Sequence, residues 1–211
     1  MPHRNVWLFY FMQKYFFLIS IIIISSCSQV SDITRSLIGL KELKFNIQNY
    51  ENFAVSGIKL DNISSTKDFS IVDGLKLIKL FNNKNLIFSF RVNVVAVNPN
   101  TVRGKKLNTR AKITELSYLF MLDGRETIKG KIEDELIVPA GGESITIPIE
   151  ARIDLLKFFA DKTYEEVVKL VLSLGGMNRS NRKMELFINP TIDTPIGDLS
   201  PGKIKVLSKN Y

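Results

Sequence analysis

Residues 86–97 place Phe88, Phe90, Val92, Val94 and Ala96 at every second position, with Ser89, Arg91 and Asn93 between them. Side chains on a β-strand point alternately to its two faces, so this run specifies a strand with one buried and one wetted side. It stops at Asn98-Pro99-Asn100, where Pro99 cannot donate to a ladder and asparagine favours a turn.

Other runs repeat the pattern. Leu43, Phe45 and Ile47 alternate with Lys44, Asn46 and Gln48, and residues 54–60 form a second strand candidate with Gly57 as a bulge position. Residues 113–122 put Leu116, Tyr118, Phe120 and Leu122 on one face and lead into Asp123-Gly124, a strong hairpin signal. Residues 127–138 return with Gly130 inside them, and Pro139-Ala140-Gly141-Gly142 turns the chain again. Ile145, Ile147, Ile149 and Ala151 then alternate with polar residues, and Pro148 marks an edge strand or a bulge. Residues 184–188 read as a strand stopped by Pro190, residues 191–202 as a loop and residues 203–207 as a last strand.

Two segments carry helical spacing instead. In residues 66–81, Phe69, Val72, Leu75 and Ile78 recur three apart and Leu80 follows, with Thr66 as N-cap and Gly74 as a weak point. In residues 155–174, Thr163 to Glu166 has capping-box spacing, Tyr164, Val167, Val168, Val171 and Leu174 line one face, and Gly175-Gly176 supplies a C-cap. Seven or eight strands with turns at short intervals, one late helix and one short inserted helix predict a mainly β chain folded as a β-sandwich.

The first 26 residues belong to a different regime. His3, Arg4 and Lys14 precede residues 15–24, which are apolar apart from Ser20, and Ile24-Ser25-Ser26-Cys27 follows. A basic start, a short apolar middle and small residues before a cut make a secretory signal peptide. The cysteine just past small residues resembles the bacterial lipobox, in which the cysteine is acylated and becomes the first residue of the mature protein. Residues 1–26 are then a lipoprotein signal peptide, residues 27–40 a lipidated tether and residues 41–211 the sandwich domain. Two other readings stay open: a transmembrane helix over residues 6–24, which Gln13 and Lys14 interrupt, and an ordinary cleaved signal with an incidental cysteine.

Cleavage before Cys27 would remove Arg4 and Lys14 and lower the formal charge from +8 to +6. It would also remove Trp7 and His3, the only tryptophan and the only histidine, while acylation would occupy the only thiol. A mature chain without histidine has no Ser-His-Asp or Cys-His machinery and no zinc site built on those ligands. With a single cysteine, no disulfide can close within the chain, so the domain has to rest on its apolar core. The basic residues are spread out, and Arg103-Gly104-Lys105-Lys106 and Arg179/Arg182/Lys183 lack interleaved aromatics. They suit a solvated face drawn to anionic headgroups better than a nucleic-acid stripe.

Val92 to Val97 followed by Asn98-Pro99-Asn100 resembles the hallmark strand of the late-embryogenesis-abundant type 2 family, whose module is the water-stress and hypersensitive-response (WHy) domain. The family order continues with Tyr118, the Asp123-Gly124 hairpin, Gly130, the Val138-Pro139-Ala140 turn and the strand over residues 145–149. It spans residues 43–207, with residues 66–81 as an insertion and Met184-Glu185-Leu186-Phe187 in place of the usual closing pattern. The resemblance implies a fibronectin-like sandwich, no catalytic residues, no cofactor, and a role in dehydration or other stress by shielding client proteins. The expectation is a lipid-anchored envelope protein facing the periplasm from the outer membrane of a Gram-negative bacterium. It touches the membrane through acyl chains on Cys27 and acts on envelope or client proteins without binding nucleic acid.

Asn98, Pro99 and Asn100 are expected first as a structural turn. A second class of function is a scaffold module that engages a protein partner through sheet edges, residues 66–81 or residues 191–202. An enzyme is the remaining class. Glu133, Asp134 and Glu135 are adjacent and would alternate faces in a strand, Glu165 and Glu166 start a helix, and no phosphate-binding Gly-x-x-x-x-Gly-Lys is present. A Ser-Lys pair stays open at this level.

Overall fold

The computed structural model describes residues 43–99, 101–102, 105–106, 109–175 and 183–208. Cys27 and Asn100 fall outside them, as do the signal and tether segments. The main path holds seven strands: β1 (Lys44–Val55), β3 (Ile87–Val97), β6 (Ala111–Leu122), β7 (Arg125–Ile132), β9 (Ser144–Asp154), β10 (Met184–Asp193) and β11 (Ile204–Ser208). They pair in the order β7-β6-β10-β11-β1-β3-β9. Short β2 (Ile58–Lys59) adds to β1 and β8 (Leu136–Val138) to β6, while β4 (Thr101–Val102) and β5 (Lys105–Lys106) form a separate hairpin.

One layer is β1, β2, β3 and β9, and the other is β6, β7, β8 and β10. Strand β11 stitches them, running parallel to β1 at Asn46/Leu207 and antiparallel to β10 at Leu186/Val206. At the far seam β7 and β8 come up against β9, so the sheet folds back on itself as a sandwich. The core forms where the layers face each other. Phe90 of β3 meets Phe120 of β6 edge to face at 5.5 Å, and Phe53 stacks on Phe90 at 5.7 Å. The expected alternation of β3 is complete: Phe88, Phe90, Val92, Val94 and Ala96 are all buried.

Several boundaries differ from the sequence expectations, each for a physical reason. Strand β1 runs on to Val55 because two one-residue bulges, after Ile47 and after Glu51, twice reset which side faces inward. Phe45 and Ile47 are buried before the first bulge, and Phe53 and Val55 after the second. Asn52 adopts φ 57° at the second bulge, a conformation asparagine tolerates. Ser56 and Gly57, at φ 45° and 84°, make a tight turn, so residues 54–60 are the hinge of a hairpin and not one bulged strand. The return after Asp123-Gly124 is two strands, β7 and β8, both paired with β6. Strand β10 passes through Pro190, which lies opposite Leu116 beyond the end of the β11 ladder at Ile188, so its missing N–H is not needed there. Pro148 lies opposite Asn93 in β9, a strand with a ladder partner on one side only among the described residues.

The helical segments also divide. A 3-10 turn over Thr66–Asp68 is capped by Ser65, and α1 (Ile71–Asn82) is capped by Ser70, whose hydroxyl accepts from Asp73 N–H at 3.0 Å. The late helical region is α2 (Leu155–Phe158) and α3 (Tyr164–Gly175), separated by a turn. The Thr163 capping box forms, with Thr163 N–H donating to the Glu166 carboxylate at 2.8 Å. Gly175 is the last helical residue and packs tightly: a Cβ there would sit 2.8 Å from Phe53 Cβ and 3.0 Å from Leu60 Cδ1. Its role is close helix–sheet approach rather than a cap; Gly176 lies outside the described residues.

Candidate functional site

The two ends of the sandwich are built differently. At one end β3 finishes and β1 begins, with Lys44 opposite Val97. Asn98 is 3 % exposed here. Its amide donates to the Thr109 carbonyl at 3.1 Å, and its own carbonyl accepts from Gly142 N–H at 3.0 Å. Gly141 and Gly142 reach that position at φ 81° and 90°. The two turn motifs of the sequence therefore meet, and Asn98 serves as a clasp between them. Pro99 follows half-buried. A buried amide with its hydrogen bonds made is structural.

Tyr118 and Gly130 form a second joined pair. They are cross-strand partners in β6 and β7, and the Tyr118 ring lies where a side chain on residue 130 would stand. Beside it a surface groove of about 370 Å³ is lined by Tyr118, Leu119, Lys129, Phe187, Asn189 and Lys203. Lys203 Nζ stands 5.6 Å from the Phe187 ring centre, and Lys129 Nζ holds Glu126 at 2.6 Å. Lys129, and then Lys203, keep the Glu126 carboxyl below the usual carboxylate range, while burial raises the Tyr118 phenol. Ammonium groups, a protonated phenol, an amide and an aromatic face can hold a ligand by charge and hydrogen bonds. No local pattern signals this groove, because Tyr118, Lys129 and Phe187 come from β6, β7 and β10 and Lys203 from the residues just before β11, and only the fold brings them together.

The carboxylates noted in the sequence disperse. Glu133, Asp134 and Glu135 lie in the link between β7 and β8; Glu133 pairs with Lys131, and Glu135 with Lys112 at 2.9 Å. On the wetted face of β1, β3 and β9, Arg91 holds Glu150 at 2.5 Å and Glu51 at 3.4 Å. Glu150, then Glu51, raise the Arg91 guanidinium. Lys205 and then Lys183 lower Glu185, with Lys205 at 2.6 Å. Among the described residues no three of His, Cys, Asp and Glu gather to hold a metal ion.

The helical end carries the third feature. Helix α1 buries Leu77 and rests Phe81 edge-on against Tyr164 of α3 at 5.5 Å. Leu80 is half-buried against the core, whereas four apolar residues point away: Ile71 is 84 % exposed, Val72 74 %, Leu75 64 % and Ile78 44 %. Among the described residues no helix is long and apolar enough to cross a membrane.

No protein-family description matches the chain. No curated protein matches it either. Solved structures with some likeness include a protein from Archaeoglobus fulgidus, 15% identical, with a TM-score of 0.33, covering 58% of this chain and 88% of that one. A candidate late embryogenesis abundant (LEA) protein is 14% identical with a TM-score of 0.37, covering 89% of each chain. A protein from Arabidopsis thaliana is 24% identical with a TM-score of 0.35, covering 58% of this chain and 73% of that one. At these TM-scores the likenesses carry no argument about this chain.

Proposed function

We propose that the protein is a non-catalytic lipoprotein of the cell envelope, held by acyl chains on Cys27, whose sandwich domain protects or stabilises neighbouring proteins under dehydration or other stress. The order of motifs carries this reading: a lipobox-like Ile24-Ser25-Ser26-Cys27 followed by the WHy-like set from Val92 to Ile149. The meeting of Asn98 with the Gly141-Gly142 turn supports it, since a shared motif that fixes a fold should close a structural corner. The groove beside Tyr118 suits binding rather than bond breaking.

Two measurements test it. The intact mass of protein extracted from its native membrane should equal residues 27–211 plus acyl groups; an unprocessed mass would remove the anchor. A drying assay with a labile client enzyme should show protection above that given by an equal mass of inert protein. Protection equal to the inert control would leave the second reading, a scaffold that recruits one envelope partner. Strand β9 favours that alternative, since among the described residues it has a ladder partner on one side only and strand addition needs such an edge.

A further inference from the structure

A helix seated on a domain normally turns its apolar side inward. Helix α1 turns Leu77 and Phe81 inward and still presents Ile71, Val72, Leu75 and Ile78 to water. At 100° per residue Ile71, Leu75 and Ile78 form one stripe, Val72 borders it, and Lys79 and Lys76 follow on the same outward side. Lys67 and Lys84 stand just before and after the helix. Of the acidic side chains, Asp73 accepts from the Ser70 hydroxyl at 2.6 Å, and Asp68 from the backbone of Ser64 and Ser65 at 2.8 Å. Four neighbouring aliphatic side chains are exposed together, and a contiguous apolar patch rimmed by charged residues is the pattern of an interaction surface.

We propose that this face of α1 docks into the interface of an anionic lipid bilayer, Ile71, Val72, Leu75 and Ile78 entering the acyl boundary while Lys76 and Lys79 contact phosphate headgroups. Apolar residues bordered by lysines are the pattern of helices that lie in a membrane interface. The positive side chains match the negative surface of such a membrane.

The chain enters the sandwich at Lys44, and β1 carries it to Val55, at the end where α1 sits. The inference adds to the membrane-anchored reading but does not depend on acylation of Cys27, because the helix is judged by its own contact with lipid.

The test uses the full chain with Cys27→Ser and Leu75→Cys, labelled at residue 75 with an environment-sensitive fluorophore. It is mixed with vesicles of phosphatidylcholine, with or without phosphatidylglycerol, that contain a shallow lipid-borne quencher. The emission should shift to the blue and be quenched several-fold in the phosphatidylglycerol vesicles. Lys76→Glu with Lys79→Glu should abolish most of the quenching while the circular dichroism stays unchanged. The same label at Ile137, exposed on β8, should remain unquenched. Equal signals at residues 75 and 137, or no quenching at 75, would overturn the proposal. A blue shift without lipid that grows with protein concentration would also overturn it and assign the face to a second copy. Intact mass of the native protein reports on Cys27 separately.

Discussion

Strand β3 and helix α1 carry the same kind of message and use it differently. Each repeats apolar residues at its own period, two for the strand and three or four for the helix. In β3 every apolar position on the inward face is buried, because strands on both sides and a facing layer supply partners. In α1 the repeating residues Val72, Leu75 and Ile78 face water, and the buried contact is made by Leu77 between them. Periodicity reports which residues share a face. It does not report what meets that face.

The difference sets an order of expected effects. Phe90→Ala removes a ring that touches Tyr50, Phe53, Phe88 and Phe120, and should lower stability by about 3–5 kcal/mol in denaturant unfolding. A loss under 1 kcal/mol would mean that the layers do not meet there. Gly175→Ala should cost about 1–3 kcal/mol by pressing on Phe53, with Gly74→Ala in α1 as the contrast, since a Cβ at Gly74 meets nothing within 4 Å. The Gly74 change should be neutral or stabilising, because alanine is the better helix former.

Asn98→Ala should cost about 1–2 kcal/mol through loss of the bond to Thr109 and leave the opposite, helical end unaffected in hydrogen exchange. Burial raises the Tyr50 phenol from 10.0 to about 12. Between those values the unfolded chain loses this proton and the folded one keeps it, so stability should fall as pH rises from 10 to 12. Tyr50→Phe should flatten that decline in an alkaline series of unfolding curves. The smallest effect belongs to Leu75→Ser, which should change stability by less than about 0.5 kcal/mol because the side chain is already in water. A loss above 2 kcal/mol would show that α1 packs into the domain.

How far the sequence was legible follows the same divide. The strand pattern of the sandwich, the Asp123-Gly124 hairpin and the Thr163 cap were readable because each depends on neighbouring residues. The length of β1 was hidden, since two bulges break its alternation. Pro190 misled, because whether a proline ends a strand depends on which partner is beside it. Thr66 was the expected cap of the inserted helix; Ser65 and Ser70 cap two separate turns of chain, as each hydroxyl finds the N–H of a different start. Asn98 and Pro99 were expected as a turn, and the fold added its partner, Gly142. The groove beside Tyr118 was invisible, because register across β6, β7 and β10 brings its residues together.

Native-state hydrogen exchange on the full chain compares the two regions most directly. Amides of β3 should exchange only through global unfolding, and those of α1 through a smaller opening several kcal/mol lower, since α1 is held by few buried contacts. Equal protection in β3 and α1 without lipid would contradict a helix whose apolar face stands free in water.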